Sequence, residues 1–229
     1  MLKISNLRVE YGQSQVIRGV TFQVRRGETV AIMGRNGMGK TTLFKALIGM
    51  LPVRSGTIVL EGTELTRARS HERVKRGLAY VPQGRMIFPY LTVEENIRTG
   101  LESTGDKEVP RYIYEYFPVL KGMARRRGGN LSGGQQQMLA IARALVSNPK
   151  VLLLDEPTEG IQPSIIKELA VTLNRLKVDR QLTVLVSEQV LSFAVEVADR
   201  FLIIERGEFV HEDVKQNVNR ERIHAYLTV

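Results

Sequence analysis

Gly34-Arg35-Asn36-Gly37-Met38-Gly39-Lys40-Thr41 fits the phosphate-binding pattern G-x-x-x-x-G-K-[ST] at every fixed position. Ahead of it, Thr29-Val30-Ala31-Ile32-Met33 reads as a short buried strand. Behind it, Thr42 to Met50 places Leu43, Phe44, Ala46, Leu47 and Met50 at helical spacing. Strand, glycine-rich loop and helix is the context in which such a loop works. Its glycines let backbone N–H groups curl round a phosphate chain, and the helix N-terminus adds partial positive charge. Lys40 sets an ammonium against the β- and γ-phosphates, and the Thr41 hydroxyl is sized for Mg²⁺. A nucleotide is the expected ligand.

Further along, Val151-Leu152-Leu153-Leu154-Asp155-Glu156 is a wholly apolar strand with two carboxylates at its end. Such a strand belongs at the centre of a sheet buried on both faces. Phosphoryl chemistry asks for one carboxylate to hold Mg²⁺, directly or through water, and for another to orient or deprotonate the attacking water. By position, Asp155 is the metal partner and Glu156 the general base.

The bulk of the 229 residues is ordinary for a globular chain, with 43% hydrophobic and 25% charged residues. No apolar run approaches the roughly 20 residues that span a bilayer, and Met1-Leu2-Lys3-Ile4 opens no signal-peptide core. With no cysteine, disulfides and thiolate metal sites are excluded. His71, His211 and His224 lie far apart and form no ligand set in sequence. The net charge of +9 has no aromatic-interleaved basic patch or nucleic-acid motif beside it, so it reads as a general cationic surface.

The rest of the chain alternates strand and helix. Leu2 to Val24 reads as antiparallel strands joined through Tyr11-Gly12-Gln13-Ser14, followed by a strand at 57–60, a short basic helix at 70–77 and a strand at 78–81 closing on Pro82-Gln83. Between Gly84 and Asn130 helical candidates dominate, Val93 to Leu101 and Val109 to Phe117. A long helix is expected from Gly134 to Ser147, then helix 163–178, strand 183–186, helix 190–197, strand 201–204, a hairpin at 205–208 and a polar C-terminal helix. The expected fold is α/β of the P-loop NTPase kind: a central, mostly parallel sheet with an antiparallel β subdomain and an inserted α-helical subdomain. The expected division is a single domain over 1–229, with residues 1–83 and 134–229 as nucleotide-binding core and 84–133 as helical subdomain.

Leu131-Ser132-Gly133-Gly134-Gln135 opens the long helix with a serine and two glycines whose N–H groups suit a phosphate. Set ahead of the strand ending in Asp155-Glu156, it resembles the signature of ABC-type ATPases, and the resemblance runs in order along the whole chain. It implies ATP and Mg²⁺ as cofactors and ATP hydrolysis as the activity. Gly34 to Thr42 would hold the triphosphate. Tyr11 stands where the family stacks an aromatic on adenine, and Gln83 where it has a glutamine lid that contacts the metal. The resemblance further implies a head-to-tail dimer, with itself or a paralogous subunit, in which Ser132, Gly133, Gly134 and Gln135 of one chain cover the ATP of the other. Chromosome-organising relatives with long coiled-coil arms, two-cassette translation proteins and non-ABC nucleotide kinases fit the sequence poorly. A module that dimerises on ATP with little turnover remains an alternative.

Two positions depart from the family pattern. Counting back ten residues from Asp199, where a switch histidine is usual, lands on Gln189, and the loop Glu159-Gly160-Ile161-Gln162 lacks the usual aspartate ahead of Pro163. Glutamine donates a hydrogen bond but carries no charge. With Tyr80 to Arg85, Leu91 to Asn96 and Gln135 to Ala140, these departures resemble the ATPase subunits of branched-chain amino acid and amide importers. Ile87-Phe88-Pro89 and Glu159 to Ile166 are similar to the second ATPase subunit of the urea importer. Urea or short-chain amides are therefore the expected cargo, with branched-chain amino acids as the alternative. The resemblance also implies a bacterial subunit, cytoplasmic and peripheral on the inner face of the plasma membrane. Permease subunits would dock between Gln83 and Tyr90, with Ile87, Phe88 and Tyr90 as apolar anchors, and a solute-binding protein would be met only indirectly.

Overall fold

The computed structural model describes residues 1–228. Strands β1 (Leu2–Tyr11) and β2 (Ser14–Val24) form a hairpin through Gly12 and lead into β3 (Thr29–Met33). The phosphate loop follows, then α1 (Lys40–Ile48), β4 (Ser55–Leu60), β5 (Thr63–Glu64), α2 (Ser70–Lys75) and β6 (Leu78–Val81). Helices α3 (Val93–Arg98), α4 (Arg111–Tyr116), α5 (Pro118–Gly122) and α6 (Gly133–Leu145) come next. The chain ends with β7 (Val151–Asp155), α7 (Pro163–Arg180), β8 (Thr183–Glu188), α8 (Leu191–Val197), β9 (Arg200–Glu205), β10 (Glu208–Val214) and α9 (Arg220–Thr228).

Two sheets result. An antiparallel one has the order β2-β1-β4-β5, and a six-stranded one has the order β10-β9-β3-β8-β7-β6, parallel except for the β10 edge. The side-chain period of two splits each parallel strand between two cores. Val30, Ile32, Leu78, Val151, Leu153 and Leu185 face α1 and the antiparallel sheet. Ala31, Met33, Val81, Leu152, Leu154 and Val186 face the helices on the other side, where α6, α7 and α8 pack together with α3, α4 and α5. Burial on both faces is why β3, β7 and β8 are apolar without alternation.

Several boundaries differ from the sequence expectation for physical reasons. Helix α1 stops at Gly49, which takes the left-handed conformation, so Met50 falls past the helix and is exposed. The helix expected from Val93 to Leu101 tightens into a 3₁₀ turn over Thr99–Ser103. A residue before proline is disfavoured in a helix, so α4 begins at Arg111, after Pro110, and Pro118 opens a separate short helix. Helix α7 runs on to Arg180 and ends at a left-handed Gln181.

Candidate functional site

The parallel strands point the same way, so their C-terminal ends share one edge of the sheet. Paired positions Met33–Glu188, Asp155–Ser187 and Val81–Leu154 set the phosphate loop, the two carboxylates, the Ser187-Glu188-Gln189 stretch and Gln83 side by side. Open α/β sheets bind ligands at this edge. A cavity of about 170 Å³ lies there, lined by Val16, Asn36, Lys40, Thr41, Gln83 and Glu156 among others. A larger cavity of about 610 Å³ at the opposite end of β3 is lined by Glu28, Lys177, Asp199 and Arg200, whose charges already pair with one another.

The loop is shaped by its neighbours as well as by its ligand. A Cβ on Gly34 would come within 2.4 Å of the Ile204 carbonyl oxygen, so only glycine lets the loop leave β3 against β9. Gly39 adopts φ +107° as the residue before α1, a conformation that L side chains rarely take. No side chain caps α1 and its first turn holds no acid, which leaves its positive end to an anion. Lys40 is almost buried. Its Nζ donates to the carbonyls of Gly34 (2.6 Å) and Arg35 (2.9 Å) and pairs with Glu156 Oε1 at 3.1 Å.

Asp155 accepts hydrogen bonds from Ser187 Oγ (2.6 Å), Tyr80 OH (3.0 Å) and Thr41 Oγ1 (3.2 Å). Burial nevertheless holds its carboxyl above the ordinary aspartate range, and both burial and Asp155 push the Tyr80 phenol up. Thr41 and Asp155 make an oxygen pair of the kind Mg²⁺ takes, which draws on few carboxylates and on ligand phosphates. No cluster of three His, Cys, Asp or Glu exists among the described residues. Gln83, expected at the metal, lines the same cavity as Thr41, where its Nε2 donates to Glu156 Oε2 (3.3 Å) and Glu159 Oε2 (3.1 Å).

Glu156 follows β7 at φ +47°, an unusual conformation for a side-chain-bearing residue, worth about 1–3 kcal/mol of strain. Its N–H donates to both the carbonyl and the hydroxyl of Ser187, at 3.1 Å each, which holds the turn. Gln189 Nε2 bridges Glu156 Oε1 (3.0 Å) and Asn36 Oδ1 (2.7 Å), so the glutamine at the switch position touches both base and loop. Lys40, Glu156 and Gln189 thus form one contact set. Sequence reading did not find Ser187, Tyr80, Val16 or Glu188 here, since each joins by a contact between distant segments.

The remaining expected residues spread out. The Arg35 side chain turns away and donates to the Tyr226 carbonyl in α9 (3.3 Å), leaving its own carbonyl on Lys40, and Met38 packs beside the β9–β10 turn. Tyr11 ends β1 with an exposed ring. Ser132 caps α6 in a reciprocal box with Gln135, its Oγ accepting from Gln135 N–H (3.4 Å) and its N–H donating to Gln135 Oε1 (3.0 Å). None of residues 132–135 is among those lining the phosphate cavity. Of the expected docking anchors, Phe88 and Tyr90 are exposed, but Ile87 is not free: it packs against the helical core, and Met86 takes its place on the surface. Arg143 spans this surface, its guanidinium over the Phe88 ring and donating to the Met86 carbonyl (2.8 Å).

The sequence model of the ABC transporter family matches residues 17–159. The chain is 40% identical to the high-affinity branched-chain amino acid transport ATP-binding protein BraG of Pseudomonas aeruginosa, over 93% of this chain and 92% of the relative. It is 36% identical to the probable branched-chain amino acid transport ATP-binding protein LivF of Archaeoglobus fulgidus, over 90% and 89%. Among solved structures, a dimeric bacterial ABC transporter cassette superposes with a TM-score of 0.84 at 25% identity, over 95% of this chain and all of that one.

Proposed function

Because the chain belongs to the ABC transporter family, whose ATP-binding cassettes it matches in fold, we propose that it is the ATPase of an importer for branched-chain amino acids. The observation that carries the catalytic half is the meeting of Lys40, Glu156 and Gln189 above Thr41 and Asp155. The solute class is supported by the two branched-chain amino acid transport relatives. Urea, the cargo favoured by sequence resemblance, has no such support among them and becomes the second reading.

In this account the N–H groups of residues 34–42 hold the triphosphate and Lys40 leaves its carbonyls for the phosphates. Mg²⁺ would be held by Thr41 and Asp155, and it would neutralise charge on the phosphates. Glu156 takes the proton of the attacking water, while Gln189 fixes that carboxylate and stays neutral. Tyr11 offers its exposed face to adenine. Ser132 to Gln135 do not line the phosphate cavity of their own chain, so a second cassette, identical or paralogous, would supply them. The permease would dock on Met86, Phe88 and Tyr90, within an 84–133 segment that moves as a helical subdomain on the 1–83 and 134–229 core. The chain would be held at the inner face of the bacterial membrane by that permease, for no helix among the described residues is long and apolar enough to cross.

Uptake assays in a strain lacking this chain test the reading. Labelled leucine uptake should vanish, return with the wild-type chain and stay absent with Glu156→Gln. Loss of urea uptake with intact leucine uptake would replace the solute assignment.

A further inference from the structure

Glu188 is the last residue of β8 and is 1% exposed. Four donors from two turns converge on its carboxylate. Oε1 accepts from Thr158 N–H (3.2 Å) and Thr158 Oγ1 (2.6 Å), and Oε2 accepts from the N–H groups of Gln189 (2.9 Å) and Val190 (3.0 Å). One turn carries Glu156 and runs on to Glu159, which receives the amide of Gln83. The other turn carries Gln189, whose amide reaches Glu156. The side chain therefore spans the floor beneath the hydrolytic pair without touching the phosphate cavity.

The residue type fits that task. A carboxylate offers two oxygens with about four lone-pair positions and no proton of its own, so it satisfies all four donors together. An amide of the same shape would turn an NH₂ group against one pair of donors. Thr158 is buried too, at 4% exposed, so its hydroxyl and N–H have no water to fall back on.

We infer that Glu188 is a positioning residue for hydrolysis: its carboxylate fixes the turn carrying Glu156 against the turn carrying Gln189, and so sets turnover without holding ATP. The inference rests on Glu156 being the general base.

Steady-state kinetics on the full chain, with its partner cassette if one is required, separate the possibilities. Glu188→Gln should lower kcat about tenfold and leave KM for ATP within about twofold, the pattern of lost transition-state alignment rather than lost binding. Thr158→Ser keeps the hydroxyl and should retain wild-type kcat, while Thr158→Val should lower it by about threefold or more and add little on top of Glu188→Gln, since both remove one tie. A Glu188→Gln chain with wild-type kcat, or Thr158 and Glu188 effects that simply add, would overturn the inference. Should Glu188→Gln fail to fold, the Thr158→Ser and Thr158→Val pair decides it alone, equal kcat in the two refuting it. Glu156→Gln is run beside them. If that variant turns over normally, the base assignment falls and this inference with it; if it is dead while Glu188→Gln is active, only this inference falls.

Discussion

Replacing Glu156 by glutamine keeps the volume of the side chain and removes its charge, 3.1 Å from Lys40 Nζ and 3.0 Å from Gln189 Nε2. Two effects of opposite sign follow. Proton abstraction by a positioned base is worth about 10²–10⁴ in rate, so turnover should fall by at least about a hundredfold. Binding should move the other way. Lys40 is shared among Gly34 O, Arg35 O and Glu156, and in the proposed mechanism the pair with Glu156 opens for the ammonium to reach a phosphate. The two side chains are 3% and 10% exposed, so solvent screens this pair little. A hydrogen bond to a charged group contributes about 1.5–3 kcal/mol net, and the amide oxygen keeps part of it. A net change of about 1.4 kcal/mol tightens ATP binding roughly tenfold. Phosphate release and an equilibrium ATP titration on the same preparation measure both numbers. Turnover within about tenfold of wild type would remove Glu156 as the base, and weaker ATP binding would show that its pair with Lys40 does not compete with nucleotide.

Gln189→His puts a titratable ring where the amide bridges Glu156 and Asn36; a ring N–H can take over the tie to Glu156, so kcat should hold or rise, and a drop beyond about tenfold would show that the glutamine does more than hold that carboxylate. Arg73 is buried and donates to the carbonyls of Ala46, Leu47, Thr66 and Ala68, closing the end of α1. Arg73→Met strands those acceptors and should cost about 3 kcal/mol, a fall of roughly 6–12 °C in melting temperature at about 2–4 °C per kcal/mol; an unchanged melting curve would contradict the capping role. Asp155 has a carboxyl raised by burial, so the folded chain holds its proton more tightly than the unfolded one. Burial of this carboxyl leaves stability whole below the ordinary aspartate range, and stability is lost as pH climbs through the window up to the raised folded value. Asp155→Asn should therefore raise the nucleotide-free melting temperature at neutral pH while abolishing hydrolysis. The gain should shrink as pH is lowered into the aspartate range, and a gain independent of pH would refute burial as its source.

Much of the site was legible because its chemistry is local. Gly34 to Thr41 is a contiguous cradle, and Val151 to Glu156 announces a buried strand with its carboxylates in six consecutive residues. The ties that hold those residues were not legible. Tyr80, Ser187 and Glu188 read as ordinary strand-end positions until parallel pairing brings them to Asp155 and Thr158. Gln83 was legible as a strand-end residue beside the phosphate loop, but the contacts of its amide with Glu156 and Glu159 were not. Ile87 illustrates the same limit for surfaces: three apolar residues in a row carry no sign of which one folds inward, and packing on the helical core selects Ile87. The end of α1 at Gly49 and the starts of α4 and α5 at Pro110 and Pro118 rest on residues that sequence shows, whereas the left-handed Gln181 that ends α7 and the tightening over Thr99–Ser103 carry no such mark.

The central claim is that this chain is half of an ATP site, completed by a signature loop from another cassette. Turnover per chain measured over a dilution series, with and without Ser132→Arg, addresses it directly. The account predicts turnover that fades as the cassettes separate, and its abolition by Ser132→Arg with ATP binding to the diluted chain unchanged. Full turnover by a monomer, untouched by Ser132→Arg, would contradict it.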